Sequence, residues 1–164
     1  MANKLTNSNK LNTPWYVFIL GGIATGFLSL IFFIFLDIFL NSLRWTEIPF
    51  YSVLILVVIE ELFKFKVLKF IIISKKAFEI KPTYIFEALS FGLGFTFFEF
   101  ILIYLQSQIQ SIQPTSVLIL FFVHSITSLF LLTAIRKQKR WNLIALLYFS
   151  LAIIIHLVYN LSIT

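Results

Sequence analysis

Five stretches of about twenty or more mostly apolar residues, each closed by a short polar or charged break, leave this chain few ways to fold. They run approximately Pro14 to Leu40, Ile48 to Ile73, Tyr84 to Leu105, Ser116 to Ile135 and Trp141 to Leu161. A hydrocarbon core about 30 Å thick is crossed by about 20 helical residues, and these runs are too long for barrel strands. Lipid offers no hydrogen-bond partner to the backbone, so each run must satisfy its own amides and carbonyls as a helix. The expected fold is therefore all-α, a polytopic membrane bundle of about five transmembrane helices forming a single integral-membrane domain over residues 1–164.

The composition excludes the alternatives. Of 164 residues, 60% are hydrophobic and 12% charged, against about 25% charged in ordinary globular domains. A soluble domain this small would leave much of that apolar surface in water. Cysteine is absent, which rules out disulfides, thiol nucleophiles and thiolate metal sites.

The net charge of +6 would suggest a nucleic-acid partner in a soluble protein, but its placement argues otherwise. Lys64, Lys66, Lys69, Lys75, Lys76 and Lys81 follow the second run's polar centre, and Arg136, Lys137, Lys139 and Arg140 follow the fourth run. Lys4 and Lys10 lie on the N-terminal tail, while the first inter-span loop carries only Arg44. The positive-inside rule then places the N-terminus in the cytoplasm and the C-terminus outside a cell membrane, with no nucleic acid involved. Trp15, Trp45 and Trp141 fall at span edges, where indole rings prefer to sit. The first apolar run exceeds a signal peptide's and lacks a small-residue cleavage site, so it is expected to be retained.

Ionisable side chains within a span are costly and default to functional hypotheses. Here they are Glu60 and Glu61 in the second run, Glu99 in the third, His124 in the fourth and His156 in the fifth. Counting about 1.5 Å per residue from the span edges puts Glu60 roughly 15–18 Å below the outer face, His124 roughly 12 Å, and Glu99 and His156 roughly 8 Å. Four helices of alternating direction thus bring their ionisable groups toward one layer in the outer half. Glu60 and Lys64 are four apart, as are His156 and Asn160, so each pair shares a helix face. Glu61 is three from Lys64, so either carboxylate can pair with that ammonium.

Each residue also has a plainer explanation. A membrane glutamate can be a structural ion-pair partner, a histidine an interhelical hydrogen bond, and a lysine near a span end can snorkel. For Lys66 and Lys69 that explanation stands. Asp37, Glu47, Glu79 and Glu87 lie near span edges and are expected to be solvated. Tyr104, Tyr148 and Tyr159 are read as packing or interface residues, and Gly22, Gly26, Gly92 and Gly94 as sites of close helix approach. Singly each plain reading prevails; jointly, three carboxylates, two imidazoles and an amide in one layer need a shared reason.

Water activation is the chemistry such a set supports. A glutamate can take a proton from water, and a nearby histidine can orient that water or relay the proton. Donors such as His and Asn on one helix face can stabilise a tetrahedral oxyanion. Alternatively, Glu and His are ligands for a zinc-like ion; Glu60, Glu99, His124 and His156 would then hold it. The HExxH pattern is absent, and both metal-dependent and metal-free chemistry stay open.

These residues also resemble a known family. Glu60-Glu61-Leu62-Phe63-Lys64 is similar to the EExxK motif of PrsW-type intramembrane proteases, and Gly92-Leu93-Gly94-Phe95-Thr96-Phe97-Phe98-Glu99 to their GxGFxxxE motif. His124 resembles the isolated histidine of the third motif, and His156-Leu157-Val158-Tyr159-Asn160 the closing HxxxN. All four occur in the family's order, one per helix. The wider superfamily contains CAAX prenyl-protein proteases and bacteriocin-processing or immunity proteins, and Glu99 and Lys64 favour the PrsW branch. The resemblance implies that Glu60, with Glu61, is the general base, that Glu99 and His124 orient water or a metal, and that His156 with Asn160 forms the oxyanion site. Lys64 would support the set. It further implies a membrane-spanning protein, or a lipid-proximal peptide, as substrate, cut near the outer face of the lipid bilayer.

Three functions from different classes follow. The leading one is an intramembrane endopeptidase. The second is a proton- or cation-coupled carrier, since Glu and His chains also relay protons, although no inverted repeat is visible. The third is a scaffold or immunity protein in which the motifs only hold the bundle together. Substrate sequence and self-association into a homo-oligomer are left open.

Overall fold

A computed structural model describes residues 15–42, 49–73, 84–106, 114–137 and 143–163. These form five α-helices: α1 (Trp15–Ser42), α2 (Pro49–Ile73), α3 (Tyr84–Gln106), α4 (Pro114–Lys137) and α5 (Leu143–Ile163). No strand occurs among the described residues. The helix bounds fall within two residues of the ends of the five apolar runs. α2 and α4 open on Pro49 and Pro114, whose missing N–H matters least at the first helical position. Lys4, Lys10, Arg44, Trp45, Glu47, Lys75, Lys76, Glu79, Lys81, Lys139, Arg140 and Trp141, which carry much of the orientation and edge argument, lie outside the described residues.

Four of the helices, α1, α3, α4 and α5, are long and apolar enough to cross a membrane. α2 is as long but carries Glu60, Glu61, Lys64, Lys66 and Lys69. Two of these charges are taken up by the bundle: α2 packs against α1, α4 and α5, and Glu61 and Lys64 are fully buried there.

The remaining helices pack in the order α1, α3, α4, α5. Small residues set how closely they approach. A Cβ added to Gly94 on α3 would run into the backbone carbonyl of Ile19 on α1, and one added to Gly22 would run into the Phe91 carbonyl of α3. Gly92 lies against the backbone of Ser125 on α4. α1–α3 and α3–α4 are therefore joined backbone to backbone, as association in lipid favours. Around these contacts Phe18, Leu68, Phe91, Leu131 and Leu132 are buried in one core cluster.

Glu87 departs from expectation. It is not a solvated edge charge but is buried and ion-paired with Arg136 across the α3–α4 contact, Nη2 to Oε2 at 2.5 Å. The Arg136 guanidinium lies 4.2 Å from the centroid of the Tyr84 ring, whose hydroxyl donates to Thr133 at 2.8 Å. The fourth run's first basic residue is thus spent on a helix–helix clamp rather than left at the headgroups. Glu87→Ala leaves the guanidinium half-enclosed without its carboxylate and should destabilise the bundle by roughly 1–3 kcal/mol. Thermal unfolding in detergent checks this, with Glu87→Ala/Arg136→Ala expected to recover part of the loss. Asp37, by contrast, is exposed as expected.

Candidate active site

The site is assembled from four helices whose small-residue contacts bring their polar positions together. Glu60, Glu61 and Lys64 come from the middle of α2, Glu99 from α3, His124 from α4 and His156 from α5. Each is separated from the others in sequence by a span or more, apart from the α2 set, so the cluster depends on tertiary packing.

Its inner part is an ion pair. Lys64 Nζ donates to Glu61 Oε1 at 2.6 Å, and both side chains are fully buried. The same ammonium lies 3.1 Å from His124 Nδ1 and 4.3 Å from the centroid of the Phe95 ring. The same carboxylate oxygen lies 2.7 Å from His156 Nδ1. Glu61 Oε2 is buried with no hydrogen-bond partner among the described residues. Of the two carboxylates that the sequence allows for Lys64, the structure therefore pairs it directly with Glu61.

The two imidazoles form the next layer, 5.2 Å apart and edge to face at 88°. Beyond them stand the other two carboxylates. His124 Nε2 is 2.5 Å from Glu99 Oε2, and His156 Nε2 is 3.4 Å from Glu60 Oε2. The layers differ in access. Glu99 is 31% exposed and Glu60 17%, while both histidines are buried. The two outer carboxylates are thus the most accessible groups of the cluster, each backed by a histidine and each histidine backed by one member of the ion pair.

Asn160 lies one turn beyond His156 on α5 and is half-buried. Lys66 is exposed and Lys69 sits over the Phe65 ring at 5.8 Å, as the plain reading expects. Tyr148 packs on Phe130 and Tyr104 on Phe100.

Glu and His donors suit a zinc ion by type, but their arrangement does not make a cage for one. Among the described residues no three His, Asp or Glu side chains are placed to hold a metal. His124 faces an ammonium through one ring nitrogen and a carboxylate through the other. The fully buried Lys64 also brings a positive charge to the centre of the set, where a divalent cation would be opposed. The present arrangement of the described residues does not fit a metal.

Neither curated proteins nor solved structures give a significant match to this sequence. The four motif-bearing helices, their order and the polar cluster they close together bear directly on the one comparison that does match. The family model for PrsW family intramembrane metalloproteases covers residues 11–164, and the chain belongs to that family of membrane-embedded proteases.

Proposed function

We propose that this protein is an intramembrane endopeptidase that hydrolyses a peptide bond in a membrane-spanning protein, using water activated by Glu60. The observation that carries this reading is the pair of carboxylate–histidine contacts, Glu60–His156 and Glu99–His124, with only the carboxylates partly exposed. The wider CAAX-protease placement is part of the same proposal, on the motif resemblance alone.

In the proposed reaction the oxygen of a water held between Glu60 and Glu99 attacks the carbonyl carbon. As the O–C bond forms, one water proton passes to Glu60 and the carbonyl π pair moves onto oxygen. Glu60 can hand its proton to His156 Nε2, 3.4 Å away. The resulting imidazolium is steadied by Glu61 at Nδ1 and faces the oxyanion, with the Asn160 amide one turn away as a second donor. When the intermediate collapses the C–N bond breaks, the leaving nitrogen takes that proton, and one water has been consumed for two chain ends. Glu99, fixed by His124, holds the water's position.

The substrate's approach is proposed from the exposure of α1. From Ile31 to Phe39 nearly every α1 side chain is exposed, in contrast to the buried Phe18, Gly21, Gly22, Thr25 and Gly26 of its first half. A substrate helix would settle beside this half of α1. With the N-terminus in the cytoplasm, that half lies toward the outer face, which agrees with the depth counted for the polar layer.

The test is cleavage of single-span peptides by the purified protein in liposomes. Discrete products from the wild type, lost in His156→Ala, are expected. Ion-driven uptake abolished by Glu99→Gln, without products, would favour the carrier. Partner binding with no product under any condition would favour the scaffold or immunity reading.

A further inference from the structure

The Glu61–Lys64 pair touches both histidines, and it touches each through the same ring atom. A carboxylate oxygen meets His156 Nδ1 at 2.7 Å, and an ammonium meets His124 Nδ1 at 3.1 Å. A carboxylate can only accept and an ammonium can only donate. His156 must therefore carry a proton on Nδ1, and His124 must present a bare lone pair there. We infer that the buried Glu61–Lys64 pair fixes the two histidines in opposite hydrogen-bonding senses, His156 protonated on Nδ1 and His124 protonated on Nε2.

The consequences appear at the far side of each ring. His124, with Nδ1 occupied by the ammonium, turns an Nε2–H toward Glu99 Oε2 at 2.5 Å and acts as a permanent donor that anchors that carboxylate. It cannot take up a second proton without meeting Lys64 head-on. His156, with Nδ1–H spent on Glu61, faces Glu60 through Nε2, the atom able to gain a proton. Other neighbours do not set this choice. The Phe95 ring packs on His124 at 4.5 Å between centroids, and the two imidazoles meet edge to face, so neither contact supplies a competing donor or acceptor in the ring planes at Nδ1.

The same logic bears on the metal. A metal on His124 Nε2 requires the proton to move to Nδ1, where it would point at the ammonium. Lys64 is accordingly a positioning residue: it assigns His124 to hydrogen bonding and sets it against metal ligation. The catalytic meaning of this assignment rests on the proposed peptidase site, but the tautomers belong to the resting protein and are read without substrate.

The chain has two histidines, so nitrogen-15 NMR of histidine-labelled protein in bilayers resolves both, with His156→Gln assigning the pair. The expected result is one ring with Nδ1 protonated, His156, and one with Nδ1 bare and Nε2 protonated, His124. The same protonation pattern in both rings, the reverse assignment, or a doubly protonated His124 overturns the inference. Glu99 also favours Nε2–H on His124, so Glu99→Ala separates the two causes: it is partly exposed and its loss leaves Lys64 in place. His124 Nδ1 should remain bare in that variant, and a proton appearing there overturns the role given to Lys64. Zinc chloride added to the wild type should leave the His124 Nε2–H signal in place, whereas its replacement by a metal-bound nitrogen overturns the inference. A protein that cleaves nothing yet shows His156 protonated on Nδ1 and His124 on Nε2 contradicts the proposed function and leaves this inference standing.

Discussion

Glu60→Gln should slow peptide cleavage by about 100-fold or more, the usual range for loss of a general base, while leaving the bundle folded. The substitution is nearly isosteric, and Glu60 is the less entangled of the two adjacent glutamates: it approaches His156 Nε2 at 3.4 Å and is partly exposed. The amide can turn an N–H donor toward that bare nitrogen but cannot accept a proton from water. Glu61→Gln should behave differently. Glu61 is fully buried and holds both Lys64 and His156 through one oxygen. Removing its charge leaves a buried ammonium without a counter-ion, an effect in the range of about 3–5 kcal/mol. Loss of activity in Glu61→Gln should therefore come with a lowered unfolding temperature, and in Glu60→Gln without one. Measuring kcat and unfolding temperature on the same preparations separates the two glutamates.

Gly94→Val should destroy the fold rather than the chemistry. The Cβ of residue 94 would occupy the space of the Ile19 backbone carbonyl, and backbone cannot rotate aside as a side chain can. α1 and α3 would have to separate along their whole contact, which includes the reciprocal approach of Gly22 to Phe91 and Phe95. We expect a loss at or above the ~3 kcal/mol top of the common overpacking range, seen as aggregation or failure to accumulate in membranes. Gly26→Ala is the control. The atoms nearest its Cβ would all belong to the Phe98 side chain, Cδ1 at 2.5 Å, Cγ at 2.8 Å and Cβ at 3.1 Å, and that side chain is partly exposed, so a side chain rather than backbone has to give. Near-normal accumulation of Gly26→Ala beside loss of Gly94→Val would locate the constraint in backbone contact rather than in glycine content.

The bundle itself was legible in the sequence because lipid imposes one rule, apolar length, that each run obeys alone. The convergence of Glu60, Glu99, His124 and His156 was legible too, since rise per residue converts position into depth. Rotation about each helix axis was not. Counting along α2 left Glu60 and Glu61 equivalent partners for Lys64; only the packing of α2 against α4 and α5 turns Glu61 inward to the ion pair and leaves Glu60 at the accessible layer. The burial of Glu87 is hidden from the sequence for the same reason. Its partner Arg136 is 49 residues away on another helix, and no local pattern announces such a pairing. The directions of the histidine hydrogen bonds are further removed still, because they depend on which atom of each ring meets the ammonium and which the carboxylate.

The central claim, that water activated at Glu60 hydrolyses a peptide bond at this cluster, is tested most directly by cleavage in water enriched in oxygen-18. A single-span substrate incubated with the reconstituted protein should yield a product whose new C-terminal carboxylate carries one solvent oxygen, at a bond in the outer half of the span. That product should be missing with Glu60→Gln. A labelled product formed equally by wild type and Glu60→Gln, or no product from a folded wild type, would contradict the account.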